Sequence, residues 1–460
     1  MINFWDSNIW GGINLMVVLL ISLLVANALK QKVRFLNESL IPTSVLGGAM
    51  LLLIAGIYDL ITKDVMFETT FFGGNGYDVL EIITYHTLAL GFIASSFKTG
   101  KGKLTKKRTI EIFNTGVTTV STYLIQAIFG LGITMIAATI LSDFFAAAGL
   151  LLPFGYGQGT GQALNYGTIY ETEFGFVGGK TFGLTIAALG FLSASIGGVI
   201  HLNLLKKRGK LTRSVSSEAA IHSEDIQTEN EIPMQGSMDK MTVQIAFVGI
   251  AYLLAYLLML GLGKLLPGMK AVIFGFNFLL GVLSATLIKI IIGFLKKKAV
   301  VEKDYINDFL MTRVSNFCFD IMVVAGIAAI RLGILEKYWG IILILGVVGL
   351  IITYLYNYYI AKIFFPEYCE EQFLMMYGML TGTASTGTIL LREIDGNFTT
   401  PAADNMVYQN FPAIVFGFPI MLLATLAPIK PMLTLICLTT FFIIMNLILF
   451  RSKIFKKKLK

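Results

Sequence analysis

Charge is what this sequence has least of. Asp, Glu, Lys and Arg make up 14% of its 460 residues, against about 25% in an average globular chain. Hydrophobic residues make up 55%, and the mean hydropathy is +0.75. A soluble fold is excluded, because one buried core cannot absorb so many apolar side chains while leaving polar ones to cover the surface. Cysteine and histidine are scarce too. Cys318, Cys369 and Cys437 stand alone, without C-x-x-C spacing, and His86, His201 and His222 are scattered. The pattern therefore offers no structural metal site or haem pair, and the cysteines read as apolar fillers. The 36 Lys and Arg against 28 Asp and Glu leave a net charge of +8. These basic residues gather in short clusters between apolar runs, which fits a membrane surface and no nucleic acid. The opening stretch MINFWDSNIW has no basic leader, so it reads as the approach to a first span and not as a signal peptide.

What the chain does have is long apolar runs. A span needs roughly 20 mostly apolar residues to cross about 30 Å of hydrocarbon. Runs that meet this fall at about 11–29, 40–58, 79–97, 109–141 and 176–202, then at 241–262, 271–295, 314–330, 339–363 and 405–426, with one more at 432–450. The fold class expected is an all-α polytopic membrane protein with about 11 transmembrane helices. Basic clusters at Lys30, Lys32 and Arg34, at 98–108, at 206–213, at 296–298 and at 451–460 occupy every other connection, whereas Asp59, Asp64, Glu68 and Asp78 share one. The basic connections should be cytoplasmic, with the amino terminus outside and the carboxyl terminus inside.

The polar segment 203–240 divides the chain into a first repeat, 1–202, and a second, 241–428, leaving 429–460 as an extra span and basic tail. Five crossings per half, an odd number, make the halves an inverted-topology repeat. Two local echoes support it. Leu40-Ile41-Pro42 is matched by Leu265-Leu266-Pro267, and Gly157-Gln158-Gly159-Thr160-Gly161 by the Gly/Thr-rich run that starts at Gly382.

Each half also carries an irregular stretch, about 146–167 and 374–391, expected to be a re-entrant hairpin. Backbone that stops being helical at membrane depth frees N–H and C=O groups that need a partner. In the first stretch Pro153 and repeated glycines open the chain, and Gln158, Thr160, Gln162 and Asn165 add donors and acceptors. The N-terminus of its second arm suits a carboxylate. In the second stretch Thr381, Thr383, Ser385, Thr386 and Thr388 supply neutral oxygens for sodium or substrate. The competing reading is that small residues here merely let helices pack closely.

Asp320 lies a few residues inside an apolar span, as a cation ligand, a proton acceptor or a partner for Arg313. His86 reads as a hydrogen-bonded structural residue or a relay. Arg392 marks either an ion-paired boundary or a bidentate contact to a substrate carboxylate. No nucleophile with its base and no H-E-x-x-H pair occurs inside the spans, so an enzyme is not expected. Two opposed half-sites also argue against a channel, which would more often repeat one filter around an axis.

The order Ile41-Pro42-x-x-Val45-x-Gly47-Gly48, then GFIASSFKTG at 91–100, then Gly155-x-Gly157-x-Gly159-Thr160-Gly161, then Ile196-Gly197-Gly198, resembles the bacterial sodium/glutamate symporter family, with the likeness running to about residue 426. The resemblance implies a homodimeric secondary transporter of the bacterial cytoplasmic membrane that moves sodium as coupling ion and an acidic amino acid inward by an elevator-like motion against a dimerising scaffold. It implies no other cofactor. Carried residue by residue, it matches Gly157, Gly159, Thr160 and Gly161 to the family's first hairpin motif and sets Gly382 and Ala384 within the second. Several features depart from the family pattern: Gln158 stands where a histidine is typical, Val199 where proline often follows the Gly-Gly pair, the second stretch is Thr/Ser-rich, and the eleventh span is additional. A carrier of citrate or another small di- or tricarboxylate is the alternative.

Overall fold

The computed structural model describes residues 3–98, 105–141, 143–209, 226, 230–234, 237–336, 338–396 and 399–455. Most of the segment 203–240 falls outside these residues, as do Lys101, Lys103, Lys210, Arg213 and the tail bases Lys456, Lys457, Lys458 and Lys460. The first half forms α1 (Ser7–Lys32), α2 (Arg34–Glu38), α3 (Thr43–Thr62), α4 (Gly76–Phe97), α5 (Lys106–Ile140), α6 (Leu151–Gln158), α7 (Thr160–Phe174) and α8 (Gly179–Lys207). The second forms α9 (Lys240–Leu265), α10 (Lys270–Gly275), α11 (Asn277–Lys297), α12 (Asp308–Ala328), α13 (Trp339–Phe364), α14 (Cys369–Thr381), α15 (Ala384–Arg392), α16 (Ala402–Tyr408), α17 (Asn410–Leu426) and α18 (Pro431–Phe455). Among the described residues, pairing outside helices is limited to an isolated bridge between Glu231 and Asp304.

Ten of these helices are long and apolar enough to span a membrane, and α16 with α17, bent by 54°, makes an eleventh. The expected all-α polytopic class and span number therefore hold. Local chemistry sets the boundaries. Thr105 accepts from Arg108 N at the start of α5, Asp239 caps α9 through Met241 N and Thr242 N, and Asn307 caps α12 through Leu310 N.

Three runs differ in detail from expectation. The run 271–295 is interrupted at Phe276, between α10 and α11. The run 405–426 bends near Pro412, which lacks an N–H and whose ring presses the carbonyl four residues back. The helix around Asp320 begins at Asp308. Asp320 is thus about 18 Å along it at 1.5 Å per residue, much deeper than a few residues.

The helices pack as two groups. One comprises α1, α3, α4 and α9 to α12, in which α12 lies against α4 and α3, and α11 against α9 and α4. Ser315 Oγ donates to Gly91 O at 3.0 Å across the α12–α4 contact. The other comprises α5 to α8 and α13 to α18, with α5 packed on α13 and α18, and α8 on α6 and α7. Helices of the first and second half also meet, α4 with α12 and α5 with α13. Between the groups, α7 lies against α4 and α12.

Candidate functional site

The two irregular stretches are both helix–break–helix units. α6 and α7 meet at Gly159, whose φ of +81° and ψ of −172° lie in a region essentially confined to glycine. The chain folds back on itself there, with the rings of Phe154 and Tyr166 stacked at 3.9 Å. α14 and α15 are separated by Gly382 and Thr383 and pack side by side, so closely that a β-carbon on Gly387 would sit 2.5 Å from Met375 O. The two tips meet. A β-carbon on Gly159 would lie 3.6 Å from Thr383 Cγ2 and 3.9 Å from Gly382 O.

A cleft opens where they meet. Gly157, Gln158, Gly382, Thr383 and Ser385 line it from the breaks. Tyr123 of α5, Met322 of α12 and Gln409 and Asn410 at the α16–α17 bend close its sides. No charged side chain lines it among the described residues. The first N–H groups of α7 and α15 have no carbonyl four residues back within their own helices, so both breaks carry donors and a positive dipole end. The carbonyls at the end of α14 carry the opposite sign.

Side chains from α5 hold the breaks in place. The Tyr123 hydroxyl donates to Gly157 O at 3.1 Å. Gln126 Nε2 donates to Thr353 Oγ1 at 2.8 Å and to Leu380 O at 3.0 Å, joining α5, α13 and the second break. Below them Thr115, Thr118, Thr119 and Thr122 are buried, each hydroxyl donating to the carbonyl four residues back. Such back-bonding satisfies a hydroxyl inside an apolar span while leaving its oxygen free to accept.

The residues anticipated from sequence divide clearly. Gly157, Gln158, Thr383 and Ser385 line the cleft, and Gly159 forms the tip facing Thr383. Thr160 is buried and donates to Met322 O at 3.3 Å, while Gly161 is pressed against Leu88 and Met322. Asn165 Nδ2 donates to Gln162 Oε1 and to Gly275 O, so this pair ties α7 to the end of α10. Arg392 ends α15, is exposed and does not line the cleft.

Of the oxygens assigned to sodium, Thr381 donates to Tyr377 O, Thr386 lies 3.3 Å from the Thr383 hydroxyl and Thr388 donates to Ala384 O. Asp320 lies beside Ser44 of α3, in the other helix group. His86 bonds the Tyr252 hydroxyl at 2.6 Å. Tyr123, Gln126, Gln409 and Asn410 were not anticipated. The α5 residues had a signal in sequence, polar side chains recurring every three or four positions in an otherwise apolar run.

The loop after α15 is held by Asp395. Burial pushes its carboxyl up, but the N–H and hydroxyl groups of Thr399 and Thr400 donate to it at 2.6–2.9 Å and outweigh burial, so its pKa falls below the usual carboxylate value. A carboxyl held below its unfolded value stabilises the fold above that value, and the contribution disappears as pH falls through the depressed one. Asp395→Asn should therefore lower the melting temperature by a few degrees at pH 7. The gap between variant and wild type, followed by thermal unfolding, should close as the pH is taken below about 4.

An uncharged cleft between two breaks in the helices of a membrane protein is an arrangement that fits a secondary transporter. The model of the sodium/glutamate symporter family matches residues 11–367, and the chain belongs to that family. The match includes the first break and ends before α14, short of residue 426 to which the sequence resemblance extends. No curated protein matches the chain. Membership of a sodium/glutamate symporter family supports sodium-coupled glutamate transport with Na+ as coupling ion.

Proposed function

We propose that this protein accumulates glutamate, or a closely related acidic amino acid, by coupling its entry to sodium across the cytoplasmic membrane of a bacterium. The observation that carries the reading is the meeting of two helix breaks at one cleft without a charged side chain on its wall among the described residues. A dicarboxylate enters such a cleft only if its charge is matched by backbone donors and a cation that travels with it. Substrate carboxylates are assigned to Gly157, Gln158, Thr383 and Ser385 together with the freed amides of Thr160 and Gly161. Sodium is assigned to the oxygen-rich second break, at Thr381, Thr386 and Thr388 and the carbonyls ending α14. Asp320, in the other helix group, is left out of that shell.

The two units read as re-entrant hairpins of an inverted repeat, 1–202 and 241–428. The pairing of α4 with α12 and of α5 with α13 supports this, since elements related by a two-fold axis in the membrane plane meet on it. The group holding both breaks is the part proposed to move, elevator-like, against α1, α3, α4 and α9 to α12, through which two copies would associate. Where the groups meet, Phe276 packs on Phe418 with ring centres 5.5 Å apart, and the motion would also have to break the bonds of Thr160 to Met322 O and of Asn165 to Gly275 O and the ion pair of Lys180 with Glu81. The amino terminus is proposed outside and the carboxyl terminus inside.

A substrate screen tests the assignment. Proteoliposomes with an inward sodium gradient should accumulate labelled glutamate above equilibrium. Accumulation of citrate without glutamate would replace the amino acid with a tricarboxylate.

A further inference from the structure

Glutamate carries an ammonium group as well as two carboxylates, and the breaks are suited only to the carboxylates, because exposed backbone N–H groups repel a cation. An acceptor is needed, and no Asp or Glu lines the cleft among the described residues. We infer that Gln409, at the bend between α16 and α17, is the residue that recognises the substrate's amino group and so separates amino acids from plain dicarboxylates. This rests on the glutamate reading and deepens it.

Gln409 lines the cleft yet is only 2% exposed. Its Nε2 donates to Asn410 Oδ1 at 3.0 Å and to Met379 Sδ at 3.5 Å. The Met379 sulfur has no hydrogen to give, and this turns the amide nitrogen of Gln409, and not its oxygen, toward it. Oε1 is left buried with no hydrogen-bond partner. A buried acceptor without a partner is costly, and a cation is the partner it pairs with most strongly. The hydroxyls of Thr383 and Ser385 also line the cleft, but each has a proton to turn toward a carboxylate, whereas Oε1 can only accept.

The bend makes this position available. Pro412 packs on Gly116 of α5, where a β-carbon would lie 2.6 Å from the Pro412 ring, and the helix is interrupted at Gln409 itself, between α16 and α17. Oε1 is buried, and a turn of the carboxamide toward the cleft would present it.

Calorimetric titration of the full-length protein in sodium, with glutamate and with glutarate, which has the same two carboxylates and no amine, tests the assignment. Wild type should bind glutamate more tightly than glutarate. Gln409→Leu should weaken glutamate on the order of 10- to 100-fold, the value of a hydrogen bond to a charged group, and leave glutarate within about threefold. Gln409→Glu, which keeps acceptor oxygens and adds charge, should retain glutamate and lose glutarate, and it serves as the test where the leucine variant does not fold. Equal losses of both ligands in Gln409→Leu, or glutarate retained in Gln409→Glu, would overturn the assignment. Wild type that binds neither compound overturns the glutamate reading itself.

Discussion

Gly159→Val lowers the initial rate of glutamate uptake by about 100-fold or more while the protein still inserts and runs as wild type on size exclusion. The reason is conformational. Gly159 holds φ +81° and ψ −172°, where a side chain costs on the order of 1–3 kcal/mol and a β-branched one lies at the upper end. Space is not the difficulty, since the nearest atom to an added β-carbon is 3.6 Å away. The strain is relieved by moving the tip away from Thr383, which opens the cleft where the two breaks meet. Gly159→Ala, with almost no added bulk, should therefore lose at least about tenfold in rate. Normal uptake by the alanine variant, measured in proteoliposomes at matched protein density, would refute the conformational argument.

Gly387→Val is expected to be as damaging for the opposite reason. Nothing in the backbone of α15 at that residue demands glycine, but a β-carbon would lie 2.5 Å from Met375 O and 3.2 Å from Met379 N. Both neighbours are backbone and cannot rotate away. α14 and α15 must separate, and overpacking of this kind costs about 1–3 kcal/mol or more. Uptake and melting temperature should fall together for Gly387→Val, whereas Gly159→Ala should reduce uptake with a smaller thermal shift. Equal thermal losses in both variants would contradict the distinction between strain and crowding.

The spans were legible in the sequence because a run of about 20 apolar residues has few alternatives in a chain this poor in charge. The two breaks were legible too, as Gly- and Thr-rich interruptions between such runs. Which face of a break meets the cleft was not. Thr160 and Gly161 share a motif with Gly157 and Gln158, but the packing of α7 on α4 and α12 turns them toward Met322 and Leu88. Residue order gives a helix its period, and only tertiary contacts give it a direction. Gln409 was hidden differently. It reads as one polar residue at the start of an ordinary span, and its position in the cleft wall depends on the bend near Pro412. Asp320 was recognised as a costly charge, but its neighbour Ser44 comes from a helix some 276 positions earlier in the chain, beyond the reach of local pattern.

Ion replacement tests the central claim most directly. Labelled glutamate uptake is measured in proteoliposomes with external sodium and again with choline at the same concentration. The account predicts concentrative uptake in sodium and only background counts in choline. Equal accumulation in the two media would contradict it.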